Sequence, residues 1–239
     1  MVLYLNMFLG HVLGDFVLQP GRLVMAKRNR LAGLLGHVAV VAACTAAVLV
    51  SDLASLWRVV AYVAAAHLLI EVVTIHARRG RAARGLFVFG LDQALHLASL
   101  VPPVLMLGTE VSVKPATFGY QLDVARLAAV TAMATVVFFG SILVFEASET
   151  AEARDEPLLP LDAARLLGMV ERGTSLGAAL LAGPALLALP FLPRTLAALR
   201  LQPRDRLRQV TIAVSGLLLC AAAYAFVAAV AAAVSLGYL

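Results

Sequence analysis

Long apolar stretches separated by short polar segments run through the whole sequence. Seven of these stretches are long enough to cross the hydrocarbon core of a membrane as a helix, which takes about 20 residues. They cover residues 2–18, 32–50, 56–76, 86–108, 122–147, 173–193 and 209–238. Ala, Leu and Val fill them without the alternation of period two that a barrel of short strands requires. The pattern predicts an all-α fold, a polytopic transmembrane bundle of six to seven spanning helices.

The composition is typical of a membrane protein, and the charge distribution indicates which classes of partner to expect. Of the 239 residues, 62% are hydrophobic and only 14% are charged, whereas soluble domains carry about 25% charged residues. The net charge of +5 comes mainly from Arg in the connecting loops, which is typical of topology signals and of contacts with anionic lipids. We therefore expect the lipid bilayer and anionic lipid headgroups as partners, and no nucleic acid. The sequence leaves open whether the chain forms a homo-oligomer.

The basic residues indicate how the chain is oriented. Loops 19–31 and 77–85 are rich in Arg and Lys, whereas 51–55 contains neither. By the positive-inside rule, the N-terminus faces outward and both basic loops face the cytoplasm. Simple alternation would then place the basic segment 194–208 outside. Two interpretations resolve this conflict: residues 173–193, which contain three prolines, turn back without crossing, or all seven stretches cross and the basic segment is exposed outside.

The chain divides into two predicted modules. Residues 1–115 form a four-helix transmembrane module. Residues 116–239 form a second module of two to three helices, with a basic loop and an acidic linker. The linker is predicted at 146–165, where carboxylates accompany two prolines.

Histidines and carboxylates recur inside the first four apolar stretches. The residues are His11, Asp15, His37, His67, Glu71, Asp92 and His96. Six of them form three pairs spaced four residues apart, so that each pair lies on one face of its helix. Counted from the predicted cytoplasmic helix ends at 1.5 Å per residue, all seven lie in one slab, ~5 to 15 Å deep. Four helices thus present polar groups at the same level.

This cluster predicts a metal site. An ionisable side chain inside a span costs roughly 2.5 to 3.5 kcal/mol, so seven at one level require mutual pairing or a bound cation. Imidazoles and carboxylates together suit Zn, Mn, Fe or Co. All seven residues are candidate ligands for a divalent transition metal, and Asp15, Glu71 and Asp92 are also candidate catalytic acids or bases. One ion with outer partners, two ions, or a proton relay without metal all fit the pattern.

Other polar residues are weaker candidates for substrate binding or gating. Gln19 and Gln93 lie next to the cluster in sequence and could donate to a ligand carboxylate. Glu171 and Arg172 precede the sixth stretch, where a helix-terminal charge pair is an equal alternative. His76 lies at the end of the third stretch and is expected at the membrane interface.

The motifs around the cluster resemble a known family. The segments HVLGDFVLQP at 11–20, HLLIEV at 67–72 and LDQALH at 91–96, together with Lys27 and His37, are similar to a bacterial membrane-protein family called domain of unknown function 3307. The resemblance covers residues 1 to about 108, with a short further match, GMVER, at 168–172. Glu71 stands where similar members are expected to carry Asp. The resemblance implies a multi-pass protein of the bacterial inner membrane and adds Lys27 to the substrate or gating candidates, but it implies no activity.

Three functions fit these observations. The first is a metal-dependent, hydrolase-like enzyme acting on a lipid or lipid-linked substrate, a layout similar to membrane proteins predicted to be metal-dependent hydrolases. The second is a divalent-cation or proton transporter, favoured by an approximate repeat of the two helical hairpins 2–50 and 56–108. Against transport, the outer half offers few polar residues, Thr45 and Ser99 among them. The third is a structural or regulatory membrane subunit.

Overall fold

The computed structural model describes most of the chain, and the described part is almost entirely helical. It describes residues 1–77, 86–107, 116–149 and 163–238. The chain divides into two compact units, residues 1–127 and, within the described part, residues 128–149 with 163–238. The predicted module boundary near residue 115, most of the basic loop 77–85 and most of the acidic linker 146–165 lie outside the described residues.

The first unit is a helical bundle centred on one helix. Its elements are α1 (Val2–Val12) with a π-helical turn (Leu13–Val17), α2 (Gly21–Asn29), α3 (Leu31–Val48), a 3-10 turn (Val50–Asp52), α4 (Leu53–Ala77), α5 (Leu86–Ser99), α6 (Val101–Leu107), β1 (Ala116–Thr117) and β2 (Tyr120–Gln121). Helix α3 packs against α1, α2 and α4, and α4 also packs against α5. The two strands form an antiparallel hairpin. Its turn uses Phe118 and Gly119, both at positive φ, as tight hairpin turns require.

The second unit is built around a long C-terminal helix. Its elements are α7 (Val124–Ala134, whose first turn belongs to the first unit), a π-helical turn (Thr135–Phe139), α8 (Gly140–Glu149), α9 (Ala163–Ala182), two 3-10 turns (Pro184–Leu186 and Leu189–Phe191), α10 (Leu192–Ala198) and α11 (Pro203–Ser235). Helix α11 packs against α8, α9 and α10. The core between them includes the buried side chains of Val136, Leu176, Phe191 and Cys220.

The helices confirm the predicted all-α, multi-pass membrane fold. Five of the described segments are long and apolar enough to span a membrane, and α1 with α2 gives a sixth if this pair, bent by 94°, counts as one span. The stretch predicted at 173–193 is not among them. Helix α9 begins ten residues earlier and ends at Ala182, because Gly183 adopts φ 104° and the following prolines interrupt further helix. The residues after Gly183 pack back against α9, a local geometry that fits the interpretation in which the stretch turns back.

Proline also breaks two of the predicted helices. The first helix ends at the residues before Pro20, and the chain then turns into α2, since the residue before a proline disfavours helical geometry. The helix predicted at 86–108 is interrupted at Leu100, between α5 and α6. Pro102 and Pro103 lack the N–H groups that would bond to the preceding turn.

Two glycines let α1 approach α3 closely. A Cβ added at Gly10 would lie 2.9 Å from Cα of Thr45, and one added at Gly14 would lie 2.8 Å from Cα of Val41. Both distances are shorter than side chains tolerate, so only glycine permits this contact. Small residues allow such backbone approach between membrane helices, where dispersion contacts replace the hydrophobic effect.

We expect Gly14→Val to destabilise the folded protein in detergent, because the larger side chain overpacks the α1–α3 contact by about 1 to 3 kcal/mol. Gly36→Val is the matched control on α3, since nothing lies within 4 Å of a Cβ added there. Thermal unfolding followed by circular dichroism measures both variants. Equal midpoints for the two variants would contradict the close-packing account.

Candidate metal centre

Helices α1, α3, α4 and α5, with the π-helical turn after α1, bring all seven predicted residues into the interior of the first unit. Asp15 lies in the π-helical turn after α1, next to His11 at the end of that helix. The turn is i→i+5 bonded, with the Leu18 N–H donating to the Leu13 carbonyl at 2.8 Å, a widening that is frequent at functional sites. The exposed fractions of the seven residues run from 0% at His37 to 7% at Asp92. All seven predicted residues are therefore buried side chains.

One group of four possible ligands stands at the centre of this cluster. It consists of Asp15, His37, His67 and Glu71, whose ligand atoms all lie within 4.8 Å of one another. Nε2 of His37 and Nε2 of His67 are 2.9 Å apart. Oδ1 of Asp15 lies 3.0 Å from the first of these nitrogens and 3.4 Å from the second. Oε1 of Glu71 lies 3.5 and 3.9 Å from the same two atoms.

Gln19 determines which nitrogen of His37 faces the group. With its amide oxygen turned toward His37, Gln19 accepts hydrogen bonds from Nδ1 of His37 and Nζ of Lys27, and its amide nitrogen donates to the Asp15 carbonyl, each at 2.9 Å. This orientation gives both ends of the amide suitable partners. Neutral His37 then carries its proton on Nδ1 and presents the Nε2 lone pair to Asp15 and Glu71. Acceptors converging in this way need a proton or a cation between them.

Lys27 also reaches the cluster, from α2. Its Nζ lies 2.5 Å from Oε1 of Glu71 and 3.5 Å from Nε2 of His37. The side chain is 12% exposed, against 5% for Glu71. The segment predicted as a basic loop is in part this helix, and reasoning from the residues did not find the contact because Lys27 is ten residues from His37 and shares no helix with it.

A second group of possible ligands shares Asp15 with the first. His11, Asp15 and His96 again keep their ligand atoms within 4.8 Å, and the rings of His11 and His96 stack with centroids 5.0 Å apart. Nδ1 of His96 lies 2.9 Å from the Asp92 carbonyl, so that nitrogen donates. The buried Nε2 of His96 has no hydrogen-bond partner among the described residues.

Asp92 belongs to neither group but adjoins the second. Its Oδ1 lies 3.6 Å from Nδ1 of His96, and its Oδ2 accepts from Nε2 of Gln93 at 3.3 Å. Oε1 of Gln93 is 3.4 Å from Nε2 of His11. Gln93, like Gln19, thus contacts cluster residues, as expected from its place in the sequence.

Asn6 and Thr117 form a polar contact that the sequence reading missed. Asn6 is fully buried, and its Oδ1 accepts from the Thr117 hydroxyl at 2.9 Å. Asn6 precedes His11 by five residues on α1, about 7.5 Å along the helix. A lone Asn in a membrane-length apolar helix was the available signal.

Glu171 and Arg172 lie in the second unit, in the middle of α9, and each has a different partner. Arg194 donates from Nε to both oxygens of Glu171 at 2.9 Å, and its Nη1 donates to Oε1 of Gln209 at 2.6 Å. Glu171, Arg194 and Gln209, with Thr174, line an otherwise apolar cavity of about 500 Å³. The helix-terminal charge pair expected as the alternative is therefore wrong: α9 extends to both sides of the two residues.

Arg172 donates hydrogen bonds to the π-helical turn Thr135–Phe139. Its Nε donates to the Val136 carbonyl at 2.6 Å and its Nη2 to the Val137 carbonyl at 3.2 Å. A π-helical turn interrupts the regular carbonyl pattern of a helix. The guanidinium supplies donors to two carbonyls at this interruption.

Glu171→Gln is expected to destabilise the protein by roughly 3 to 5 kcal/mol, because it leaves the buried Arg194 charge without its counter-ion. Asp123→Asn is the control, since its ion pair with Arg126 is exposed, at 52% and 76%, and such pairs contribute little. Denaturant titration in mild detergent compares the two variants. A Glu171→Gln protein as stable as Asp123→Asn would show that the buried pair does not stabilise the fold.

The comparisons with known proteins agree with the residues that build the cluster. Residues 3–121 match the model of the family described as Protein of unknown function (DUF3307), which confirms the resemblance drawn from the motifs. No curated protein and no solved structure matches the chain. The matched range contains every residue of the cluster, Lys27 and both glutamines. Through residues 3–121, this chain belongs to the DUF3307 family.

Proposed function

We propose that the first unit is an intramembrane metal-dependent hydrolase acting on a lipid or lipid-linked substrate. One divalent transition ion is held by Asp15, His37, His67 and Glu71. The observation that carries the proposal is the convergence of two imidazole Nε2 atoms and two carboxylate oxygens within 4.8 Å, all in the buried interior. Two nitrogens and two oxygens suit Zn, Mn, Fe or Co.

The charge of the cluster supports one divalent ion rather than two. At their ordinary charges, Asp15, Glu71 and Asp92 contribute −3 and Lys27 contributes +1, so these four residues sum to −2. Neutral histidines add nothing. One divalent ion brings the sum to zero, whereas two leave it at +2, and uncompensated charge is costly where water is excluded.

The remaining polar groups support proton transfer beside the ion. A bound divalent ion supplies a Lewis acid that polarises an ester oxygen and makes water more acidic. His11 and His96 adjoin the four ligands through the shared Asp15, Asp92 adjoins His96, and Nε2 of His96 is available to take a proton. An ion next to an independent acid–base group is the constellation of metal-assisted hydrolysis.

The packing of the unit favours an enzyme over a transporter. On the side of the cluster toward the N-terminus of α1, apolar side chains are completely packed. They are Leu5, Met7, Leu9 and Val48, each 0 to 1% exposed. The transport alternative is supported by the buried polar contact of Asn6 with Thr117, which adds polar groups to the half where the sequence reading found few. Since Asn6 is surrounded by these apolar side chains on its helix, we rank transport second.

Purified wild-type protein is expected to carry about one equivalent of a transition metal, and His67→Ala is expected to lose it, because the variant removes a ligand from a site that needs all four. His76→Ala is the matched control: this histidine lies on the same helix, is exposed and belongs to neither ligand group. Plasma mass spectrometry on protein prepared without a His-tag gives the metal content. A metal-free wild type that stays empty after reloading would refute the metal site.

Enzyme and transporter predict different results in reconstituted vesicles. We expect metal-loaded protein to convert membrane lipid to a new product detectable by mass spectrometry, with the conversion lost in His67→Ala and kept in His76→Ala. We expect no uptake of Zn²⁺, Mn²⁺, Fe²⁺ or Co²⁺ above that of protein-free vesicles, because the packed apolar side chains close the path. Ion uptake that depends on His67, without lipid conversion, would replace the enzyme by the transporter.

A further inference from the structure

We propose that Lys27 binds a phosphate group of the substrate beside the metal centre, and that the substrate reaches the centre along α2. This inference rests on the proposed function and names its substrate class, a phosphate ester. The geometry of α2, the hydrogen bonds of the Lys27 ammonium and the burial of the cluster each support it.

Helix α2 holds Lys27 in a fixed position. The helix follows α1 at a bend of 94° and packs along the start of α3. A Cβ added at Gly33 would collide with the backbone carbonyl group of Ala26, the residue before Lys27. The two helices therefore touch backbone to backbone at this point, and the ammonium enters the cluster from a rigid support.

One N–H donor of the Lys27 ammonium group remains for a substrate. An ammonium group has three N–H donors. One serves Oε1 of Glu71, and a second serves the amide oxygen of Gln19. The third faces Nε2 of His37 at 3.5 Å. When His37 uses that lone pair to hold an ion, the third donor has no acceptor left in the cluster.

An anionic oxygen is the acceptor that fits this position. The ion pair of Lys27 with Glu71 uses one of the three donors, so the third donor is placed to bind an oxygen that the substrate brings. Lysine is a common phosphate-binding residue because its ammonium acts as a compact point charge. Arg22 and Arg30 at the two ends of α2 are exposed and add positive charge along the approach.

Burial indicates the direction of approach. The Lys27 side chain is 12% exposed, whereas the side chains of the four ligands are 0 to 5% exposed. The centre is therefore closest to the surface at Lys27. A short helix with basic residues and half-buried Leu23, Val24 and Met25 suits the lipid headgroup region, where membrane phosphates lie.

The reaction class that follows is phosphoester hydrolysis. The oxygen of water forms a bond to phosphorus, the bond from phosphorus to the ester oxygen breaks, and the leaving oxygen takes a proton. The products are an alcohol and a phosphate that retains the added oxygen. Lys27 holds a phosphoryl oxygen through this change, and His96 is placed to relay the proton.

The test is the visible absorption of Co²⁺-loaded full-length protein in detergent, titrated with inorganic phosphate. We expect phosphate to shift the Co²⁺ spectrum of the wild type. Lys27→Met should require at least tenfold more phosphate while binding Co²⁺ as tightly or more tightly, since a neighbouring positive charge is removed. Arg58→Met, which removes an exposed positive charge on α4, should behave as the wild type.

Each other result has a defined meaning. Equal phosphate binding by Lys27→Met and wild type overturns this inference, and so does a loss of Co²⁺ from Lys27→Met, which would make Lys27 a support for Glu71. If Lys27→Met fails to fold, Lys27→Arg is used instead, and full loss of phosphate binding in that charged variant overturns the inference. A wild type that binds no Co²⁺ overturns the proposed function as well.

The source of the phosphate is tested in vesicles. Phosphatidic acid in phosphatidylcholine vesicles should shift the Co²⁺ spectrum of reconstituted protein, whereas diacylglycerol in the same vesicles should not. A spectrum that shifts with inorganic phosphate but not with phosphatidic acid would overturn the lipid source.

Discussion

The first unit depends on the compensation of charge where water cannot supply it. Carboxylates inside a membrane-spanning bundle are stable only when other groups of the protein, protons or ions offset them. Here the compensation is local: Glu71 is paired with Lys27, and Asp15 faces Nε2 of His37 and of His67, where a proton or a cation supplies the positive charge. Each of these contacts joins different helices, so the charged groups also determine which helices must be neighbours.

Close backbone packing makes this compensation geometrically feasible. Gly10 and Gly14 bring α1 against α3, and Gly33 brings α2 against α3. Without these approaches, the short side chain of Asp15 would not reach the imidazole of His37. Polar contacts between membrane helices contribute little individually, so the packing positions the cluster and the cluster in turn penalises any other packing.

The sequence predicted those features of the structure that follow from apolar length or from regular spacing along a helix. Apolar length predicted the spans, and spacing of four residues with a common depth predicted which histidines and carboxylates meet. Neither signal predicts a contact between two residues on different helices when no regular spacing or common depth links them. The contact of Lys27 with Glu71 spans 44 residues, and that of Arg194 with Glu171 depends on the turns after Gly183, so both appear only in three dimensions. The turn of 173–193 was ambiguous for the same reason, since hydropathy does not report how prolines redirect a chain.

The π-helical turn before Gln19 has a consequence for how this protein tolerates insertions and deletions. Such a turn holds one residue more than the α-helix it replaces. A regular helix of four residues turns through nearly the same angle as this five-residue turn, so loss of one residue from Leu13–Val17 would leave Gln19 and the bend at Pro20 in nearly the same direction from α1. A residue lost before Asp15 would instead bring Asp15 one residue closer to His11 and turn its side chain away from the cluster. The widened turn is thus a place where the chain can lose a residue after Asp15 more easily than before it.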